Sequence, residues 1–161
     1  MSSFWRKAPV VAALAAAALL GAAPGSATPR TPFSGTFQNL SSVTTAFRQA
    51  GGNTFISQTV QVVYSGQLSG SVVEYIDIVI HPDGSLNAKG EDICSCTLAG
   101  TGRSGTIVLP FSATGDATGF VSGRFTIKDG TGGLANMHGV GTFESANGSS
   151  GPFSGYYHFD P

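Results

Sequence analysis

The sequence is poor in charge: eight Lys and Arg and nine Asp and Glu are all that 161 residues carry. Basic residues cluster nowhere beyond the first seven positions, which excludes the phosphate-neutralising stripe a nucleic-acid binder needs. Cysteine is almost missing. Cys94 and Cys96 are the only two, too few for a structural zinc site, and no histidine stands near them in sequence. Tryptophan occurs once, at Trp5. The hydrolase signatures Gly-x-Ser-x-Gly and His-Glu-x-x-His are absent, as is a carboxylate-rich calcium loop, so no motif supports hydrolysis, a metal or another cofactor. Disorder is excluded by the opposite feature, a hydrophobic content of 41%.

The longest apolar run, Val10 to Leu20, follows Arg6 and Lys7 and is too short for a bilayer core of roughly 30 Å. A basic flank, a short apolar stretch and small residues at Gly25 and Ala27 read as a secretory signal cleaved after Ala27. The expected product is a secreted protein with no membrane span. Its removal takes two of the eight basic residues and none of the nine acidic ones, leaving a net charge of −3. Residues 28–32, with Pro29 and Pro32, read as an extended leader, and 33–161 as one domain.

Across that domain, β-branched and aromatic runs alternate with Gly-rich turns every eight to twelve residues, the pattern of an all-β antiparallel fold. Strand segments are predicted at 33–37, 43–48, 55–64, 72–81, 85–89, 93–98, 106–112, 120–128, 138–145 and 153–159. Between them, Gly51-Gly52-Asn53, Pro82-Asp83-Gly84 and Asn147-Gly148 carry hairpin chemistry. Period-two alternation then selects the buried face. It holds Ile56, Val60, Val62 and Tyr64 in one strand, Val72, Ile76, Ile78 and Ile80 in another, and Val121, Phe125 and Ile127 in a third. Gln58 and Glu74 are polar exceptions on that apolar face. A carboxyl group in such surroundings has its pKa raised and can serve as acid or base, so Glu74 is the residue of greatest chemical interest. Solvation or pairing with an Arg at a barrel mouth is the plainer alternative.

Further candidates come from the sparse polar set in strands. Tyr156 and His158 share one face of the last strand, and Arg124 lies in the 120–128 segment. With Glu74, Gln58 and Tyr64 they form the candidate ligand pocket. Cys94 and Cys96 leave two possibilities open. An exported protein favours a disulfide, whereas an extended Cys-x-Cys spaces the two side chains too widely, so that a bridge implies a turn at Ser95. Gly-rich stretches at 100–105 and 130–135 imitate a dinucleotide fingerprint, but neither leads into a helix of several turns. Asn39-Leu40-Ser41 and Asn147-Gly148-Ser149 match the N-glycosylation acceptor. The segment Pro-Phe-Ser-Gly occurs twice, at 32–35 and 152–155, at a spacing that excludes a regular repeat array.

Gly123-Arg124-Phe125-Thr126-Ile127, followed by Gly130-Thr131-Gly132-Gly133-Leu134-Ala135-Asn136-Met137-His138-Gly139-Val140-Gly141-Thr142-Phe143, resembles bacterial proteins grouped with the allene oxide cyclase-like barrels. The likeness covers mainly residues 105–145. It implies a closed, calycin-like antiparallel barrel of about eight strands. The cyclases' catalytic motifs have no counterpart here, so the resemblance transfers no catalytic residue. In physical terms Thr131 is placed to cap a single turn, Leu134 and Met137 lie three apart on one side of it, and Gly130, Gly132, Gly133 and Gly139 allow it to sit against a barrel end. Two functions are expected to compete. One is a non-catalytic binder of a small lipophilic molecule; the other is an isomerase or cyclase whose barrel would bring Glu74 together with a second polar residue. A fully packed barrel would point instead to a structural or self-associating extracellular protein.

Overall fold

The computed structural model describes residues 28–161, so the segment read as a secretory signal lies outside the described residues. Eight strands run in order: β1 (Thr31–Ala50), β2 (Asn53–Gly66), β3 (Leu68–Ile80), β4 (Leu86–Leu98), β5 (Arg103–Gly115), β6 (Val121–Ile127), β7 (Met137–Ser145) and β8 (Ser150–Phe159). Each pairs antiparallel with the next, and β8 pairs back to β1, closing a barrel. Closure removes the sheet edges, and eight strands leave an interior just wide enough for side chains or one small ligand.

Ten predicted segments become eight strands because two apparent breaks are not breaks. Segments 33–37 and 43–48 form one strand, β1, whose register shifts between Asn39 and Ser41 and again between Thr44 and Ala46. Bulges absorb the polar residues there without ending the strand. Segments 85–89 and 93–98 fuse into β4, with Gly90, Glu91 and Asp92 paired to β3 and β5 throughout. Strand β1 also starts at Thr31, inside the stretch read as a leader, with Thr31 opposite Tyr157 and Pro32 opposite Tyr156. Beyond Asn39 it pairs with β2 alone, so the β1–β2 hairpin stands above the rim.

Four of the glycines within strands share one kind of partner. Gly35, Gly90, Gly123 and Gly141 stand directly opposite Phe153, Phe111, Phe143 and Phe125, respectively, on neighbouring strands. A Cβ added at any of the four would fall 2.3–2.7 Å from the tip of that ring. Each phenyl group thus lies over the space a missing side chain leaves, a cross-strand compensation for a residue that otherwise weakens a strand. The repeated Pro-Phe-Ser-Gly acquires its meaning from the same rule. Its two copies pair with each other across the closing seam, Ser34 opposite Ser154, Phe33 opposite Gly155 and Gly35 opposite Phe153. Both phenylalanines are buried, with ring centroids 6.2 Å apart.

One end of the barrel, the lower, is stoppered by the loop from β6 to β7. It contains a single 3₁₀ turn, Gly132–Leu134, which sends Leu134 into the core beside Met137, Leu68, Leu98 and Ile107, all fully or almost fully buried. Burying each such side chain contributes about 2 kcal/mol. The turn lies so close to β5 that a Cβ on Gly105 would sit 1.9 Å from the Thr131 carbonyl oxygen, so glycine is required by contact there. Thr131 does not cap the turn, contrary to expectation. Its hydroxyl instead accepts the Thr106 N–H at 3.1 Å, and its own N–H donates to the Thr106 carbonyl at 2.8 Å, fastening the plug to β5.

Cys94 and Cys96 both point inward from β4, are buried, and are joined in a disulfide. The expected turn at Ser95 does not form. Ser95 keeps its place opposite Ser71 on β3 and Thr106 on β5, and the strand instead draws the two Cα atoms to 5.3 Å, less than the roughly 6.6 Å of two extended residues. A Cβ on Gly70, opposite Cys96, would lie 2.1 Å from the Ser95 carbonyl oxygen, so the contracted strand is tightly backed by its neighbour.

Candidate functional site

Above the plug, the barrel encloses a cavity of about 150 Å³ to which every one of the eight strands contributes. Phe37, Phe111, Phe125, Phe143 and Phe153 supply much of the wall, together with aliphatic groups such as Ile76, Ile78 and Leu109. Leu86, Val121, Ser145 and Gly148 place it toward the upper end, where the hairpin loops gather. The ionisable part of the wall is formed by Glu74, Asp92 and Tyr64, and Asn39 and Ser145 are its other polar residues.

These three come from consecutive strands. Alternation turns Tyr64 of β2, Glu74 of β3 and Asp92 of β4 inward together, and the register sets Glu74 directly opposite Asp92. Gly70, opposite Tyr64 on β3, has no side chain to obstruct the ring. The Tyr64 hydroxyl donates a short hydrogen bond to Oδ2 of Asp92. Oδ1 of Asp92 is buried with no hydrogen-bond partner, in a residue only 7% exposed. A buried carboxylate oxygen without a donor is costly, and its residue is part of the cavity wall.

Electrostatics divide the pair. Burial, and then the charge of neighbouring Asp92, push Glu74 up to about 8. Burial also raises Asp92, to about 6, while the Tyr64 hydroxyl pulls it back. Burial, followed by the Asp92 charge, drives Tyr64 well above its ordinary value. Near neutral pH the cluster therefore holds a proton on Glu74 and a negative charge on Asp92, because two facing carboxylates cannot both ionise cheaply in a poorly solvated site. No Lys or Arg among the described residues forms an ion pair with either acid.

Of the six pocket candidates read from the sequence, the structure brings together two, Glu74 and Tyr64. Gln58 stays outside the cavity wall, 3.5 Å from the Thr44 hydroxyl on the overhanging hairpin. Arg124 and Tyr156 lie on the outer surface, flanking a groove with Pro110 and Val140. His158 also faces outward, opposite His138, and both rings approach the Asp160 carboxylate at 3.3–3.4 Å. The parity of β8 accounts for this, since Phe153 and Tyr157 take the inward positions. Asp92 is the residue that sequence reasoning missed. It shares parity with Cys94, Cys96 and Leu98 on one apolar face, a signal hidden by leaving 90–92 outside the predicted segments 85–89 and 93–98. Among the described residues, no group of three or more His, Cys, Asp or Glu is disposed to hold a metal ion, and no helix is long and apolar enough to cross a membrane.

The fold and site together define a class: a small, closed, eight-stranded antiparallel barrel with an acidic cluster inside an aromatic cavity. The profile of DUF3224, a family of proteins of unknown function, matches residues 33–157, and the chain belongs to that family. A solved structure of a DUF3224 protein of unknown function from Shewanella oneidensis MR-1 is similar to it, with a TM-score of 0.68 and 17% identity, over 83% of this chain and all of the other. At that identity the likeness speaks for the fold. No curated protein matches the chain.

Proposed function

We propose that this protein is exported and binds one small, mainly apolar molecule inside the upper half of its barrel. The observation that carries the reading is an aromatic and aliphatic cavity inside the barrel whose wall includes an acidic cluster with a partnerless Asp92 oxygen. Binding sites combine apolar walls with a few convergent polar groups in this way. The volume also fixes scale. About 150 Å³ is the space that holds a benzene-sized molecule, well short of a drug-sized ligand or a fatty acid. A fully packed interior would have favoured a purely structural barrel, and a cavity of this size removes that ground. Export rests on residues 1–27, with their basic flank and short apolar run. Native mass spectrometry of protein recovered from its own culture medium tests both parts: the mature chain should begin at Thr28 and carry a non-covalent adduct of about 150 Da or less. A chain that retains residues 1–27 overturns export; ligand-free protein that also fails to take up added toluene overturns the binding reading.

A second reading, an isomerase acting by proton transfer, is favoured by the facing acids. Glu74, protonated, and Asp92, ionised, form a donor and an acceptor on one wall, and the Tyr64 hydroxyl, donating to Asp92, holds that carboxylate in place. Such a site would remove a proton from carbon beside a carbonyl at Asp92 and return one from Glu74, shifting a double bond with no net change in composition. The resemblance to allene oxide cyclase-like barrels lends this reading its fold analogy. Exchange of deuterium from D2O into a cyclic β,γ-unsaturated ketone of about seven heavy atoms, lost in Asp92→Asn, is the result expected of it. Unlabelled ketone after prolonged incubation would remove it.

A further inference from the structure

Resting on the reading of the cavity as a binding site, we infer that its ligand is a compact organic cation: a protonated amine with an apolar, ring-sized body. Asp92 belongs to the cavity wall, and its Oδ1 is a buried acceptor with no hydrogen-bond partner. A ligand that brought only apolar surface would leave that oxygen unpaired, and one bearing a carboxylate or phosphate would set like charge against it. A donor is required, and a charged donor gains most, because hydrogen bonds between ions are shorter and about twice as strong as neutral ones.

The rest of the wall agrees with a cation. Among the described residues, Glu74, Asp92 and Tyr64 are the only ionisable side chains lining the cavity, and none of those residues brings a basic group to compete for the acids. Strand β5, packed on the far side of β4, presents Leu109 opposite Asp92, and its other inward residues carry no charge. Five phenylalanines surround the remaining volume, and aromatic rings accept a desolvated ammonium far better than aliphatic walls do. Glu74, which holds its proton at neutral pH, provides a reserve: entry of a cation favours its ionisation, so binding releases part of a proton to solvent. Size completes the description. A six-membered ring with a one-carbon ammonium arm is near the upper limit that about 150 Å³ admits.

Three probes of nearly the same shape separate the possibilities. Benzylamine, benzyl alcohol and toluene are titrated into the purified protein at pH 7.5 and pH 5, with binding followed by calorimetry and by protein NMR shifts. Benzylamine is expected to bind at least tenfold more tightly than either neutral probe at pH 7.5. It should lose most of that margin at pH 5, where Asp92 is protonated while benzylamine remains a cation. Asp92→Asn should remove the preference yet still bind toluene, which serves as the control that the variant is folded. Glu74→Gln should abolish the proton release seen as a buffer-dependent heat, and release that persists in this variant overturns the coupling of cation entry to Glu74. Toluene or benzyl alcohol binding as tightly as benzylamine overturns the cation assignment and leaves the apolar pocket standing. Failure of all three probes to bind the wild-type protein overturns both.

Discussion

The two halves of this barrel are built from the same strands and filled by opposite rules. Below Asp92, the disulfide of Cys94 and Cys96, the plug residues Leu134 and Met137, and Leu68, Leu98 and Ile107 pack into a core with almost no exposure. Above it, the strands turn toward one another mainly phenylalanine rings, two acids and a tyrosine, and they leave a cavity. The lower half gains stability by burying apolar surface. In the upper half, part of that gain is offset by two buried carboxyl groups, one with an unsatisfied oxygen. A fold seldom retains so unfavourable an arrangement without a use for it, and its location opposite the stoppered end assigns stability to one half and chemistry to the other.

The largest expected effect comes from breaking the packed half. Leu134 has no exposed surface, and truncation at such a position costs the lost transfer energy plus that of the cavity left behind. Leu134→Ala should lower unfolding free energy in a urea titration by about 3 kcal/mol. The matching change above, Ile78→Ala at the half-buried cavity wall, should cost less than half as much, since the space it opens adjoins one already present. Equal losses at the two positions would mean that the halves do not differ in packing.

The next effect comes from the acids, and its direction follows from linkage. Both carboxyls are raised above their ordinary values, from 4.5 to about 8 for Glu74 and from 3.8 to about 6 for Asp92. The folded state therefore holds these protons more tightly than the unfolded chain. Their contribution is fully present near pH 4 and is lost as pH rises through 6 and then 8. Thermal melts should show stability falling by about 2–4 kcal/mol between pH 5 and pH 8.5. Glu74→Gln should remove the later part of that fall and raise Tm at the alkaline end. A wild-type Tm unchanged across this range would show that the two acids do not share a buried proton.

How much of this was legible in the sequence depended on whether alternation survived locally. Tyr64 and Glu74 lie in runs with an unbroken period of two, and both are placed inside, as their parity requires. The all-β antiparallel class was legible for the same reason, whereas closure into a barrel was implied by the resemblance over residues 105–145. Asp92 was concealed because Gly90-Glu91-Asp92 has the composition of a turn. What makes Gly90 a strand residue is the Phe111 ring lying over it from β5, a contact between residues distant in sequence that only the register reveals. Arg124, Tyr156 and His158 show the converse error, since they were selected for their chemistry while the parity of β6 and β8 already directed them outward.

A smaller effect is expected from the disulfide. It closes a loop of only three residues, so chain-entropy arguments allow it about 1.5 kcal/mol, roughly half the value for a loop of fifteen. Reduction, or the double change Cys94→Ala with Cys96→Ala, should lower unfolding free energy by about that amount and leave the pH dependence intact. Loss of the pH-dependent melt on reduction would mean that the bridge, two residues from Asp92, holds the acid in place.

The smallest effect sharpens the comparison most, because it separates inside from outside at the same height along the barrel. Arg124 and Tyr156 project from strands whose inward neighbours, Phe125 and Phe153, line the cavity. If the cavity alone provides the site, Arg124→Ala and Tyr156→Ala should change stability by no more than about 0.5 kcal/mol and leave benzylamine affinity within twofold of wild type. A strand presents alternate residues to two environments separated by a backbone, so a side chain one position from a cavity wall has no path to a ligand within it. A tenfold loss of affinity in Tyr156→Ala would place recognition in the outer groove with Pro110 and Val140, and the acidic cluster would then have to be explained without a ligand.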